Sequence, residues 1–133
     1  MLGQTKQNLT FSQAADPHAL RASSQSIDRF VDALWLEDGL ARNTLDAYRR
    51  DLQGFAQWLA RQTIALDKAT EAELTGYMSA RHEGSKATSA NRRLTVFKRY
   101  YRWAMREGVL HVDPTLKLLS AKQLLRVPKT LTD

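Results

Sequence analysis

Apolar side chains recur every three or four positions along four stretches of this sequence, the interval that gathers them on one face of an α-helix. Ile27, Phe30, Val31 and Leu34 predict a first helix over 25–38. Leu45, Tyr48, Leu52, Phe55 and Leu59 predict a second over 44–61. Leu74, Tyr77 and Met78 give a short third face over 71–82. Ala90, Leu94, Phe97, Tyr101 and Ala104, with Tyr100 and Met105 beside them, give a long fourth helix over 87–107. No stretch alternates apolar and polar residues as a half-buried strand would.

The residues between these stretches mark starts and stops. Ser24 or Ser26 offers a hydroxyl to cap the first helix, and Asn43 an amide to cap the second, with Asp46 in its first turn; each side-chain oxygen can accept a free first-turn N–H. Thr70 and Glu73 spell a capping box before the third. Gly39, Gly84 and Gly108 follow the first, third and fourth helices, where a residue with positive φ turns the chain away. Gly54 lies inside the second, where it weakens the helix by up to ~1 kcal/mol relative to alanine, or admits a close neighbour. Asp113-Pro114 is a cap followed by proline at the first helical position, and predicts a short fifth helical piece over 114–119. Residues 1–23 are polar and aperiodic and read as a flexible tail. Residues 24–120 read as one helical domain, and 121–133, basic and holding Pro128, as a linker leaving it. The fold class is all-α, a four-helix bundle with short connections.

Composition narrows the chemistry. The 133 residues include no cysteine, which excludes disulfides, thiolate metal sites and a cysteine nucleophile. His18, His82 and His111 are too scattered for a metal site, and no glycine-rich phosphate loop is present. No run approaches the ~18 apolar residues of a membrane span, and the first residues lack the order of a secretory signal. A cytoplasmic protein without cofactor, metal or membrane partner is expected. Trp35, Trp58 and Trp103 each sit near an apolar stripe, which favours packing over base stacking.

Charge changes the picture more. The net charge is +6, and its excess sits in one place. Residues 24–85 carry seven basic and ten acidic side chains, while 86–106 carry Lys86, Arg92, Arg93, Lys98, Arg99, Arg102 and Arg106 and no acid. On the fourth helix Arg92, Thr95, Arg99, Arg102 and Arg106 step by three and four, rotated from the apolar face. Its start offers Lys86, Thr88, Ser89 and Asn91. Free N–H groups there attract a phosphate, and short polar side chains let a helix end approach base edges in the major groove. The second helix offers Arg42, Asn43, Thr44, Arg49 and Arg50, with Asp46 and Asp51 able to neutralise Arg50 locally. It is the weaker candidate when judged alone. From the residues, three readings stand: part of a DNA-acting enzyme, a free-standing helical DNA-binding regulator, or a helical protein-interaction module whose basic face docks an acidic partner.

The stretch FVDALWLEDGLARNTLDAYRRDLQGFAQWL resembles the amino-terminal core-binding domain of XerC/XerD-type tyrosine recombinases, most clearly in Leu40 to Leu52. KATSANRRLTVFKRYYRWAMREG resembles the last long helix of that domain, and DPTLKLLSAK with LLRVPKTLTD resembles its exit helix and linker. DALWLE favours the XerD branch. The resemblance implies a core-binding, SAM-like helical domain that clamps one face of a duplex recombination site, with its second and fourth helices toward the major groove. It also implies sister recombinase subunits, in an XerC/XerD-like heterotetramer, as partners in site-specific recombination and chromosome dimer resolution at the nucleoid. The family's tyrosine nucleophile and its activating groups lie in a catalytic domain expected past Asp133, so this chain by itself is not expected to be an enzyme.

Overall fold

The computed structural model describes residues 14–82 and 86–118. Among them every regular element is helical: α1 (Pro17–Ala33), a π-helical turn (Leu34–Asp38), α2 (Arg42–Ala60), a short 3-10 turn (Leu66–Lys68), α3 (Glu71–His82) and α4 (Ala87–Arg106). The all-α class read from the sequence is the observed one. The chain divides between Ala69 and Thr70 into two compact units, the first holding α1 and α2 and the second α3 and α4.

The first unit begins earlier than the sequence reading placed it. Residues 17–23 are helix, not tail, because Asp16 caps α1: its Oδ2 accepts the Ala19 N–H at 2.9 Å, and Pro17 occupies the first helical position. Ser24 and Ser26 are therefore interior residues of α1 rather than its caps. The Asp16 N–H also bonds Ala60 O at 2.8 Å, which ties the start of α1 to the end of α2. α1 packs on α2, and Ile27, Phe30 and Val31 of α1, Leu34 at the start of the π-helical turn, and Leu45, Tyr48, Leu52, Phe55 and Leu59 of α2 are all buried. Burying each such side chain is worth about 1.5–3 kcal/mol. The π-helical turn follows, and Gly39 leaves it at φ 62°, as a C′ glycine should.

α2 starts at Arg42, so Asn43 lies in its first turn and does not cap it; the N-cap is Ala41. The helix ends in a Schellman motif, with Ile64 N–H on Leu59 O at 3.1 Å and Thr63 N–H on Ala60 O at 3.0 Å. Ser23, buried in α1, holds the 3-10 turn by accepting the Leu66 N–H at 2.8 Å.

In the second unit Glu73 closes its half of the capping box, its Oε1 accepting the Thr70 N–H at 2.8 Å; the Thr70 hydroxyl donates to the same oxygen at 2.7 Å. Leu74 and Tyr77 are buried, and Met78 is half-buried. Tyr77 meets the Phe97 ring at 6.1 Å, and Tyr100 sits edge-on to Tyr101 at 4.9 Å. α4 closes with the same Schellman pattern as α2, here with Gly108 at φ 80°. The expected fifth helix is a turn: Asp113 Oδ1 accepts the Thr115 N–H at 2.8 Å and its hydroxyl at 2.6 Å, and Leu118 N–H reaches Thr115 O at 3.1 Å. A side chain that bonds two residues ahead forms an Asx turn, which competes with helix propagation. The tail before 14, Gly84 and the linker over 121–133 lie outside the described residues.

Candidate nucleic-acid interface

The basic stripe of the fourth helix survives folding. At 100° per residue, Thr88, Arg92, Thr95, Arg99, Arg102 and Arg106 fall within an arc of roughly 80°. Thr88, Arg92, Thr95, Arg102 and Arg106 are exposed and Arg99 half-buried. Ala90, Leu94, Phe97, Tyr101 and Ala104 lie on the opposite side and are buried. Val96 and Trp103, also buried, come to the edge of the arc. The solvent window of α4 is therefore narrow, and cationic and hydroxyl side chains fill it.

One arginine leaves this set. Arg93 is only 4% exposed and lies among the apolar positions of the helix. Its place three residues after Ala90 and four before Phe97 is legible in the sequence as a core-face position.

At the start of α4, Lys86 and Thr88 are exposed and Ser89 and Asn91 half-buried. Lys86 is the N-cap and makes no side-chain cap bond, and no acid stands in the first turn. α2 is built alike: Ala41 gives no cap bond, and its first turn is free of acids. α1 and α3 differ, the one capped by Asp16 and the other opened by Glu71 and Glu73. Carboxylates thus attend the N-termini of α1 and α3, while among the described residues α2 and α4 have neither a capping side chain at the N-cap nor an acid in the first turn.

On α2, Arg42, Asn43 and Arg50 are exposed, and Thr44 and Arg49 half-buried. Residues seven apart differ by about 20° around a helix and stand ~10 Å apart along it. Arg42 and Arg49 thus form one row, and Asn43 and Arg50 a second. Tyr48, between the two arginines, is buried as expected. The sequence offered Asp46 and Asp51 as local partners for Arg50; Asp51 is buried, and an ion pair from this stretch joins Arg49 Nη1 to Asp28 Oδ1 of α1. That pairing spans 21 positions and no local spacing rule points to it.

Of the tryptophans, Trp103 is buried and Trp58 stacks on Phe55 at 6.2 Å, whereas Trp35 is 53% exposed beside Leu36 at 79%. Among the described residues no cluster of three or more His, Asp or Glu side chains could hold a metal ion, and no helix is long and apolar enough to cross a membrane.

The phage integrase N-terminal SAM-like domain family matches residues 27–108. The chain is 60% identical over 112 residues to tyrosine recombinase XerD of Ralstonia nicotianae, an overlap of 84% of this chain and 36% of that protein. It is 41% identical over 108 residues to the proteins of that name from Proteus mirabilis and Pseudomonas aeruginosa, covering 80% of this chain and 34% and 36% of theirs. It spans about a third of the length of these relatives. With that match running from the middle of α1 through Gly108, the chain belongs to the phage integrase N-terminal SAM-like domain family, in the form found in XerD-type tyrosine recombinases.

Proposed function

We propose that this chain is the DNA-binding arm of a tyrosine recombinase, with α4 and the first half of α2 each offering contacts to a duplex recombination site. The observation that carries the reading is the acid-free stripe of Arg92, Arg99, Arg102 and Arg106 with Thr88 and Thr95, rising from a helix start that holds no carboxylate. Arginines along such a stripe neutralise phosphates, and the first-turn N–H groups of α4 add partial positive charge at its end. Thr44, Ser89 and Asn91 are short enough to reach base edges, which phosphate contacts alone never read.

The likeness to tyrosine recombinases supports the finer points of the reading. The arm clamps one face of the DNA while a separate catalytic domain supplies the tyrosine nucleophile. Its partners are sister recombinase subunits assembled on the same site, and its setting is chromosome dimer resolution in the cytoplasm, at the nucleoid.

The test is a titration of the 133-residue chain against a duplex recombination site and a scrambled duplex across a salt series. Affinity should fall steeply and linearly in log–log form as salt rises. Reversing Arg92 and Arg99 to glutamate should abolish binding to both duplexes. Undiminished binding by that double variant would refute the reading.

A further inference from the structure

The Arg49–Asp28 ion pair sits where the proposed function needs a free cation. Arg49 shares a row with Arg42 on α2, yet its Nη1 is engaged by Asp28 Oδ1. The side chains are 34% and 61% exposed, so the pair lies at the surface, where water and salt reach it. Exposed ion pairs hold weakly, because solvent screens them and two long side chains must be kept in one geometry. A DNA phosphate offers the same guanidinium a bidentate, charge-assisted partner. Asp28 and a phosphate are thus chemically alike and compete for one donor group. Asp28 also stands on α1, outside the helices that supply the candidate contacts.

We propose that Asp28 is an internal competitor for Arg49, holding back one phosphate contact in the free protein and so setting the background affinity of the chain for DNA. The inference rests on the reading of α2 as a DNA-facing helix. When DNA arrives, Arg49 exchanges the Asp28 carboxylate for a phosphate, and Asp28 returns to water. The penalty falls equally on every duplex, since phosphates carry no sequence. Binding to random DNA is lowered, and contacts at base edges must supply the remainder at the cognate site.

The experiment is a double-mutant cycle, with Asp28→Asn and Arg49→Ala singly and together, titrated against cognate and scrambled duplexes over a salt series. Asp28→Asn should tighten binding to both duplexes roughly 1.5- to 5-fold, the worth of one exposed ion pair that no longer has to be broken, and leave the salt slope close to the parent's, because Arg49 meets a phosphate in both complexes. In the Arg49→Ala background the same substitution should change neither affinity nor slope. Asp28→Ser, which removes the charge without adding an amide, should behave like Asp28→Asn. Three outcomes overturn the proposal. Tightening that persists without Arg49 would mean simple repulsion of DNA by Asp28. Weakening by Asp28→Asn would mean that the carboxylate positions Arg49 for contact. No effect of Asp28→Asn, while Arg49→Ala weakens binding, would mean that the pair does not compete. If Arg49→Ala binds like the parent, or no variant binds duplex, the reading of α2 itself has failed, and the proposal falls with it.

Discussion

Ser23 and Leu66 are joined by a buried hydrogen bond, the Leu66 N–H donating to Ser23 Oγ at 2.8 Å across 43 positions of chain. Ser23 is 1% exposed, Leu66 is fully buried, and Leu66 opens the 3-10 turn that follows α2. The bond fixes where the chain goes after α2 relative to α1. Ser23→Ala would remove the acceptor and leave a buried N–H without it. A loss of ~1–3 kcal/mol in unfolding free energy is expected. Ser24→Ala, at an exposed neighbour, serves as control and should stay within about 0.5 kcal/mol of the parent. Urea denaturation of the two variants checks this, and equal stability would show that the Ser23 hydroxyl is dispensable.

Asp16→Ala should fray the start of α1. The carboxylate takes the Ala19 N–H, and losing such a cap destabilises by about 0.5–2 kcal/mol. Amide exchange confined to the first turns of α1 is the measurement, and unaltered protection there would contradict the assignment. This start was legible in the sequence. Asp16-Pro17 is the same cap-and-proline signal as Asp113-Pro114, but the polar, aperiodic residues around it masked it. The two signals also have opposite outcomes. Asp16 initiates a helix whose later turns find Ile27, Phe30 and Val31 to bury, whereas Asp113 begins a turn followed by exposed Leu116 and Lys117. A cap sets where a helix can start, and packing decides whether it continues.

Thr63 and Gly108 occupy the same position of the same C-terminal motif, with φ 60° and 80°. A β-branched residue at positive φ carries a strain of roughly 1–2 kcal/mol, while glycine pays about 0.5–1 kcal/mol in added freedom of the unfolded chain. Thr63→Gly should therefore raise stability by roughly 0.5–1 kcal/mol. Gly108→Thr should lower it, through strain alone, since a Cβ there meets nothing within 4 Å. Thermal melts of both variants decide the matter, and a drop for Thr63→Gly would count against it.

No covalent protein–DNA adduct should form when this chain is incubated with a nicked suicide substrate. Its tyrosines, Tyr48, Tyr77, Tyr100 and Tyr101, are 7%, 4%, 0% and 0% exposed. A phenol must reach the scissile phosphorus to attack it, and these rings are packed inside. A denaturation-resistant adduct on a gel would overturn both the reading of the chain as a binding arm and the assignment of these side chains to packing.

The candidate interface was legible in proportion to how local its cause is. The stripe from Arg92 to Arg106 follows from spacing alone, and folding keeps it open to solvent. The withdrawal of Arg93 was equally readable from its distance to Ala90 and Phe97, but a run of basic residues invites counting by charge rather than by face. The uncapped starts of α2 and α4 were half-legible, since the true first residue decides whether Asn43 caps or merely lies in the first turn. The Arg49–Asp28 pair was not legible, because it depends on how α1 lies against α2.

Arg92 and Asn91 should divide the work of DNA binding between affinity and sequence. Arg92 is exposed on the outer arc of α4, beside the positions of Thr88 and Thr95, and on the proposed reading its guanidinium meets phosphate. Arg92→Ala or Arg99→Ala should weaken binding to cognate and scrambled duplexes alike and flatten the salt slope by ~1 per lost contact. Asn91, half-buried in the first turns of α4, has an amide that fits the donor–acceptor edge of adenine. Thr44 lies in the first turn of α2, the third residue of that helix, as Ser89 is of α4. Asn91→Ala or Thr44→Ala should narrow the gap between cognate and scrambled DNA by ~1–3 kcal/mol and leave the salt slope unchanged. The comparison is best run at low salt, where a single arm binds measurably. The two classes separate on two axes, slope and specificity ratio, so a general loss of folding cannot imitate either. Should all four variants match the parent while charge reversals at Glu71 and Glu73 of α3 alter binding, the DNA-facing surface lies elsewhere on the chain.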